Sequence, residues 1–161
     1  MSDSLLRTDK EIEDLYLRHA DTVYRLCYSF MKNRADTEDM VQETFLRLIR
    51  SGPRFESEAH EKAWLLVTAS NLCKNALRHW SRRSEALDDY PELESPGPVV
   101  DGVLDAILRL PAVYKTAVYL YYYEGYSTSE IAAMLRCPKA TVQSRLHRAR
   151  KQLKQSLGGD V

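Results

Sequence analysis

The stretch EGYSTSEIAAMLRCPKATVQSRLHRARKQL, Glu124 to Leu153, decides the fold of the last third of this chain. Ser127, followed three residues later by Glu130, has the pattern of a capping box, which predicts that a short helix begins there. Pro138 cannot continue a helix, so the residues around it are predicted as a turn. A second helix is predicted from about Lys139 until a pair of glycines stops it. The stretch therefore predicts a helix–turn–helix.

The second helix of this motif is strongly basic and contains no acidic residue between Lys139 and Lys154. Its basic positions are Lys139, Arg145, Arg148, Arg150, Lys151 and Lys154. A short helix, a tight turn and a long cationic helix form the arrangement that places a helix in the major groove of DNA. A helical hairpin with a solvated basic face is the alternative. The coincidence of capping box, turn and acid-free helix favours DNA binding.

Charge is distributed unevenly along the 161 residues. The chain has 23 basic and 23 acidic residues, so its net charge is zero. Residues 1–83 hold 14 basic and 13 acidic side chains, residues 84–101 hold no basic and 6 acidic ones, and residues 102–161 hold 9 and 4. Overall neutrality therefore conceals a basic C-terminal part, an acidic spacer and a mixed N-terminal part, and it does not argue against nucleic acid.

The sequence offers little for catalysis or metal binding. The cysteines are odd in number and far apart, at Cys27, Cys73 and Cys137. Without a CxxC or a Cys/His cluster, a structural zinc site is not expected, and free thiols in a reducing compartment are the simpler interpretation. His60-Glu61 begins a zinc-protease pattern, but Trp64 stands where the second histidine is needed. We expect no metal, no cofactor, no catalytic residue and no enzyme activity.

No stretch of the chain is long and apolar enough to span a membrane. The N-terminal sequence MSDSLLRTDKEIEDL also lacks the apolar core of a signal peptide. We therefore expect a cytoplasmic protein without membrane insertion.

Helical periodicity dominates the rest of the chain, which predicts an all-α fold of two small helical domains. In the N-terminal part, Thr8 with Glu11 opens a first helix to about Met31, and Asp36 with Asp39 opens a second that ends at Gly52-Pro53. A third helix is predicted over about 60–83. Residues 84–101 contain three prolines and only acidic charge, which predicts a flexible linker. The domain boundaries are thus 8–83 and 102–157.

Beyond the linker, apolar spacing predicts a short helix over about 103–108 and another from Ala112 to Glu124, opened by Pro111 and closed by Gly125. The run YLYYY at 119–123 is prone to form a strand in isolation. It lies inside a helical pattern, so it is interpreted as helix.

The third helix carries a second basic surface, because no acidic residue occurs from Lys62 to Ser84. Its candidate DNA-contacting residues are Lys62, Trp64, Asn71, Lys74, Asn75 and Arg78. Basic side chains neutralise phosphate, amides read base edges and an aromatic ring stacks on an unpaired base. A solvated helix with Trp64 in the core explains the same residues without DNA. The second helix is acidic, and its residues Asp39, Gln42 and Glu43 suit protein docking. Capping and solubility are the alternative there.

Three segments together resemble the extracytoplasmic-function (ECF) sigma factors of bacterial RNA polymerase, a group of the sigma-70 family. Residues 16–50, YLRHADTVYRLCYSFMKNRADTEDMVQETFLRLIR, resemble sigma regions 2.1–2.2. Residues 63–83, AWLLVTASNLCKNALRHWSRR, are similar to regions 2.3–2.4, and residues 110–153 are similar to region 4. The resemblance covers about residues 12–155 in the family's order.

The resemblance implies a subunit that joins core RNA polymerase and directs it to promoter DNA, and it implies an anti-sigma factor as a further partner. Residues Asp39, Gln42, Glu43 and Leu46 would contact the polymerase. Residues Lys62, Trp64, Asn71, Lys74, Asn75 and Arg78 would lie along the −10 element, with the loop from Phe55 to Glu61 cupping an unstacked base. Residues Gln143, Ser144, His147 and Arg148 would face the −35 major groove. Residues Lys115, Thr141 and Arg145 would contact phosphates of the −35 DNA, and Lys139 would also bind that DNA.

A helix–turn–helix transcriptional regulator that acts without polymerase is the alternative function. Such a protein would need a dimer interface or a sensory domain, and residues 1–83 offer neither clearly. Co-purification separates the two classes, because a sigma factor binds core polymerase and a repressor binds its operator alone.

Overall fold

The chain divides into two compact units, Met1–Glu94 and Ser95–Val161. The structure is a computed structural model and describes residues 7–84, 107 and 109–156, with backbone only at 81–84 and 155–156. Every regular element within those residues is a helix and none is a strand, so the predicted all-α fold is confirmed. The predicted linker and the short helix at 103–108 lie almost wholly outside the described residues, as do the glycines expected to end the last helix.

The first helix, α1, spans Asp9–Met31 and begins where the sequence predicts. The Thr8 hydroxyl accepts the Glu11 backbone N–H at 3.1 Å, and the Glu11 carboxylate accepts the Thr8 N–H at 3.0 Å. This reciprocal capping satisfies two amides that have no partner within the helix. The helix ends at Lys32, which adopts a left-handed conformation with φ 67°.

The second helix, α2, spans Arg34–Ser51 and begins two residues earlier than predicted. Its N-cap is Asn33, whose side-chain oxygen accepts the Asp36 N–H at 2.8 Å. The prediction that Asp36 and Asp39 open the helix was wrong, because Asn33 already occupies the N-cap and its side-chain oxygen accepts one N–H of the first turn. The helix ends at Gly52, as predicted.

The third helix, α3, spans Glu58–Ser84 and packs against both α1 and α2. The three helices enclose an apolar core. Its fully buried members include Val23, Leu26, Phe30, Leu48, Leu65, Leu66 and Ala69. Cys27 of α1 and Cys73 of α3 meet in this core as free thiols, and hydrogen bonding between them together with burial raises the pKa of Cys27. Both residues are buried free cysteines that pack in the core, and free thiols are what the sequence predicts.

In the second unit, α4 spans Ala112–Val118 and continues into a π-helical turn over Tyr119–Tyr123. The Glu124 N–H donates to the carbonyl of Tyr119 at 3.1 Å, which is the wider spacing of a π-turn. Gly125 then takes φ 82°, a conformation that suits glycine. The YLYYY run is therefore helical, as predicted, although its geometry is not α.

The two remaining helices form the predicted helix–turn–helix. Helix α5 spans Thr128–Leu135 and has the expected capping box, since the Ser127 hydroxyl and the Glu130 carboxylate each accept the other's backbone N–H. Arg136 ends it in the left-handed region with φ 55°. Helix α6 spans Lys139–Ser156 and packs on both α4 and α5.

Candidate nucleic-acid interface

Helix α6 has a buried row and an exposed row. Val142, Leu146 and Ala149 are 1% exposed or less and form the face that packs in the core. The exposed side chains that the sequence predicts to face DNA are Gln143, Ser144, His147 and Arg148. The two rows occupy opposite sides of a 3.6-residue repeat, so apolar packing turns the polar residues to solvent. Lys139 is also exposed, whereas Thr141 and Arg145 flank the rows and are half-buried.

Arg150 of α6 is held by the π-helical turn. Its Nε donates to the hydroxyl of Tyr122 at 2.5 Å, and its guanidinium lies 5.9 Å from the ring centroids of Tyr121 and Tyr122. The hydrogen bond to Tyr122 raises the pKa of Arg150 above its usual value. These contacts connect the YLYYY segment to the middle of α6. The aromatic run thus supports the helix that carries the exposed polar row.

Helix α3 presents Asn71, Asn75 and Arg78 to solvent at steps of four and three residues. Lys62, Trp64 and Lys74 are half-buried beside them. Such spacing keeps the amides and the guanidinium on one helical face. The backbone of this helix is anchored by Leu65, Ala69 and Cys73 in the core, so the exposed side chains stand on a rigid support.

A groove of about 210 Å³ opens between α2 and α3 beside this face. Its lining combines an aromatic ring, two amides, two hydroxyls and a guanidinium, from Arg47, Ser51, Trp64, Thr68, Asn71, Leu72 and Asn75. A flat ring for stacking and amides for edge hydrogen bonds are the groups that hold an unpaired nucleobase. The volume and the polar lining of the groove are suitable for an unpaired nucleobase.

The loop between α2 and α3 covers residues 52–57 and carries Phe55. The Phe55 ring lies 5.1 Å from the His60 ring and 5.9 Å from the Trp64 ring, measured between centroids. The His60 Nδ1 accepts the Glu56 N–H at 3.3 Å, and the Ser57 hydroxyl accepts the His60 N–H at 3.1 Å. An aromatic cluster and local hydrogen bonds therefore hold the loop against the start of α3.

The base-cupping loop is shorter than predicted, because α3 already begins at Glu58. Glu61, predicted to belong to the loop, lies in the first turn of α3 instead. Its carboxylate pairs with Arg18 at 3.0 Å and with the buried His19 at 2.9 Å, both from α1. Glu61 is thus part of the packing between α1 and α3 rather than of the open loop.

A different face is exposed on α2. Asp39, Gln42 and Leu46 are exposed and Glu43 is half-buried, and their spacing places them on one side of the helix. Other acidic residues of α2 have structural partners, since Asp36 bonds to Asn33 and Glu38 pairs with Arg34 at 2.9 Å. Among the described residues, Asp39 and Glu43 form no ion pair. Their charges are therefore available to a partner.

The described residues contain no cluster of three or more His, Cys, Asp or Glu side chains that could hold a metal ion. Within the same part of the chain, no helix is long and apolar enough to cross a membrane.

Comparison with known proteins identifies the family. The model of Sigma-70 region 2 matches residues 15–83, and that of Sigma-70 region 4 matches residues 101–153. The RNA polymerase sigma factor CarQ of Myxococcus xanthus is 32% identical over 155 residues, which cover 91% of this chain and 88% of CarQ. The ECF RNA polymerase sigma factor SigW of Bacillus subtilis is also 32% identical, over 91% of this chain and 87% of SigW.

This chain belongs to the ECF sigma factors. The ECF sigma factor SigE of Mycolicibacterium smegmatis is 40% identical to it over 157 residues, although the chain spans only 61% of that longer protein. Among solved structures, the sigma factor RpoE of Bartonella quintana in complex with the anti-sigma factor NepR matches 94% of the chain with a TM-score of 0.77 and 25% identity. CnrH, solved with the cytosolic domain of CnrY, shares the fold with a TM-score of 0.65 and 22% identity.

One predicted DNA contact of the sigma factor needs correction. Lys115 was expected to reach phosphate, but its side chain is 2% exposed on the inner side of α4. A phosphate contact requires an ammonium group at the surface, so Lys115 leaves the candidate set. The prediction failed because it treated a lysine on an amphipathic helix as exposed, which is the ordinary case.

Some residues of the candidate sites were missed by sequence reasoning. Arg47, Ser51 and Thr68 line the groove of the sigma factor, and Arg7 contacts the loop from the segment before α1. Arg47 and Ser51 are four residues apart on α2, a spacing that places them on one face but does not tell which neighbour that face meets. The position of Arg7 carries no sequence signal, because its contacts are more than 40 residues away.

Proposed function

We propose that this sigma factor binds core RNA polymerase and, without catalysing a reaction itself, directs the enzyme in the cytoplasm to promoters with defined −10 and −35 elements. One observation carries the proposal. Each unit has its own apolar core and turns an exposed, acid-free surface outward, on α3 from Lys62 onward and on α6 from Lys139 onward. Two such surfaces in one chain suit two separate segments of DNA, each gaining effective concentration from the other.

The exposed row of α6 is proposed to read the −35 element in the major groove. Gln143, Ser144, His147 and Arg148 offer amide, hydroxyl, imidazole and guanidinium groups, which suit hydrogen bonds to base edges. Lys139, Thr141 and Arg145 are placed at the edges of that row and are proposed to contact phosphate. Phosphate contacts set the position of the helix, and the exposed row supplies base preference.

The face of α3 and its groove are proposed to bind the −10 element. Asn71 and Asn75 line the groove together with Trp64, so a base that leaves the duplex could stack and hydrogen-bond there. Lys62, Lys74 and Arg78 lie along the same helix and supply positive charge for the backbone. Binding an unstacked base would stabilise melted promoter DNA, which is the step that transcription initiation requires.

The α2 face of Asp39, Gln42, Glu43 and Leu46 is proposed to dock on core polymerase. Two available carboxylates beside an exposed leucine, with Ile49 42% exposed one turn further, suit a partner surface that is basic and partly apolar. RpoE of Bartonella quintana, similar in fold at 25% identity, was solved with an anti-sigma factor. We propose that an anti-sigma factor also regulates this chain.

Reconstituted transcription tests the proposal. Core polymerase with and without the protein transcribes a pool of genomic fragments, and the start sites are mapped. We expect new start sites that share two sequence elements and appear only when protein and core polymerase are both present. Tight sequence-specific binding by the free protein, with no effect on the polymerase, would instead identify a regulator that acts alone.

A further inference from the structure

Arg7 fastens the segment before α1 to the end of α2. Its Nη1 donates to the carbonyl of Gly52 at 3.3 Å and lies 3.5 Å from that of Leu48, and its Nη2 donates to the carbonyl of Pro53. Carbonyls at the C-terminal end of a helix lack partners within the helix and form the negative end of its dipole. The Leu48 carbonyl already accepts the Gly52 N–H, whereas Gly52 is the C-cap residue and Pro53 lies just past the helix. A planar guanidinium that reaches all three carbonyls therefore fixes the point where the chain leaves α2.

The same guanidinium also contacts the central ring of the loop. The Arg7 Cζ lies 5.1 Å from the Phe55 ring centroid, within the range of a cation–π contact. Phe55 in turn contacts Trp64, whose ring lines the groove between α2 and α3. A continuous series of contacts thus runs from Arg7 through Phe55 to the groove.

The backbone beside this series is closely packed and is also held by an ion pair. Gly52 packs so closely on the last turn of α2 that a Cβ there would lie 2.6 Å from the Leu48 carbonyl oxygen. On the other side of the loop, Arg54 pairs with Glu11 of α1 at 2.9 Å. The loop is therefore held from the segment around Arg7 and the start of α1 as well as from α3. Partial burial of the Arg7 guanidinium, and after it the nearby Arg54 charge, lowers the pKa of Arg7.

We propose that Arg7 is a positioning residue for −10 recognition, because it fixes Phe55 and thereby the orientation of Trp64 in the groove. The inference rests on the proposed function of that groove. With this role for Arg7, the segment before α1 contributes to −10 recognition, although Arg7 itself does not contact the base. Lysine would not replace Arg7. Its ammonium group retains the charge but lacks the planar guanidinium that contacts three carbonyls and the Phe55 ring at the same time.

The experiment uses holoenzyme formed from the full chain and core polymerase, transcribing a promoter library randomised at the −10 element. Sequencing of the transcribed templates gives the base preference at each position. We expect Arg7→Ala and Arg7→Lys to lower the preference at the unstacked position about tenfold, within the range of one base contact, with the −35 preference unchanged. Phe55→Leu, which keeps an apolar side chain but loses the ring, should lower it similarly. Lys10→Ala, at a neighbouring exposed lysine, should leave it unchanged.

A second readout follows Trp64 directly. In a Trp80→Phe background, Trp64 is the only tryptophan, and its quenching by acrylamide should increase in Arg7→Lys, measured where circular dichroism shows the variant fully folded. Binding to core polymerase should match that of the unchanged protein.

The outcomes separate the inference from the function on which it rests. Asn71→Ala tests the groove itself, so an unchanged −10 preference in that variant overturns both the groove assignment and the role of Arg7. A changed preference in Asn71→Ala with normal preference in Arg7→Lys overturns the role of Arg7 alone. If Arg7→Ala loses the −10 base preference and Arg7→Lys retains it, the positive charge alone is what matters. That outcome identifies a charge contact with DNA and also overturns the positioning role.

Discussion

At the scale of single residues, exposure and existing side-chain partners together decide which polar side chains can serve as contacts. Arg148 and Arg150 are two positions apart on α6, yet Arg150 is bonded to Tyr122 while Arg148 stands in the exposed row. Lys115 is excluded by burial although its charge suggested DNA. The chemistry of a side chain therefore defines what it could bind, and its position on the helix decides whether it does.

Arg148→Ala should weaken transcription selectively. Loss of one base contact costs on the order of 1–3 kcal/mol, and the loss should depend on the base at a single −35 position. Run-off transcription on promoters varied at −35 measures it, beside a pull-down with core polymerase, which should be unaffected. Lys154→Ala, in the last turn of the same helix, is the control, since any loss there should be equal on all −35 sequences. Loss of polymerase binding in Arg148→Ala would contradict the assignment.

Asp39→Lys combined with Glu43→Lys should abolish polymerase binding, because like charges would then meet a basic partner surface. The matched control is Glu13→Lys combined with Asp21→Lys, which changes the net charge equally at exposed positions of α1. A pull-down with core polymerase distinguishes the two pairs. If the α2 variant still bound polymerase and supported normal transcription, the docking face would lie elsewhere.

At the scale of the elements, helix ends account for much of the local geometry. Thr8, Asn33 and Ser127 each accept a backbone N–H at a helix start, and Lys32 and Arg136 end helices in the left-handed region. Left-handed backbone strains residues with a Cβ but not glycine. The ends of α1 and α5 therefore store strain that a substitution can remove.

Lys32→Gly should stabilise the N-terminal unit by about 0.5–1 kcal/mol, because relief of the left-handed strain exceeds the added entropy of the unfolded chain. Urea unfolding followed by tryptophan fluorescence reports this unit, which contains both Trp64 and Trp80. Lys10→Gly, inside α1, should destabilise it by a similar amount. A lower midpoint for Lys32→Gly would show that the lysine side chain contributes more than its backbone conformation costs.

Gly52→Ala should destabilise the same unit by roughly 1–3 kcal/mol, the usual cost of overpacking. The added Cβ would lie 2.6 Å from the Leu48 carbonyl oxygen and 2.7 Å from the Leu48 Cδ1. Ser51→Ala, at the preceding exposed position, is the control and should be nearly neutral. Unchanged urea unfolding of Gly52→Ala would mean that the end of α2 can relax away from the contact.

At the scale of the whole molecule, the chain consists of two small units with separate cores. Each unit carries its own proposed DNA surface, on α3 in the first unit and on α6 in the second. Weak binding by each half and strong binding by both together is the behaviour expected of linked sites.

Limited proteolysis of the free protein should cut first between Ser84 and Asp101 and leave two helical fragments. The expectation comes from the sequence of that spacer, whose three prolines and six acidic residues disfavour a packed core. Mass spectrometry locates the cuts, and circular dichroism of the fragments tests their helicity. Early cutting inside either unit, with the spacer protected, would contradict the two-domain organisation.

The sequence alone predicts the helices and the helix–turn–helix, because these features depend on groups within four residues of one another. Ser127 and Glu130 form their capping box from adjacent turns, and the periodic apolar residues of α6 define its inner face. The family resemblance likewise follows from contiguous strings of residues. Asn33 is the local exception, because Asp36 and Asp39 show the same three-residue capping spacing and the sequence does not distinguish the two starts.

Only the tertiary structure decides what each helical face meets. The groove exists because α2 and α3 approach each other. Arg7 lies near it because the segment before α1 lies beside the end of α2. The burial of Lys115 and the pairing of Tyr122 with Arg150 depend on the contact between the helical segment 112–123 and α6. The Tyr122–Arg150 contact joins residues 28 positions apart, and the Arg7–Pro53 contact joins residues 46 positions apart. Helix packing rather than local hydrogen bonding sets the geometry of such long-range contacts.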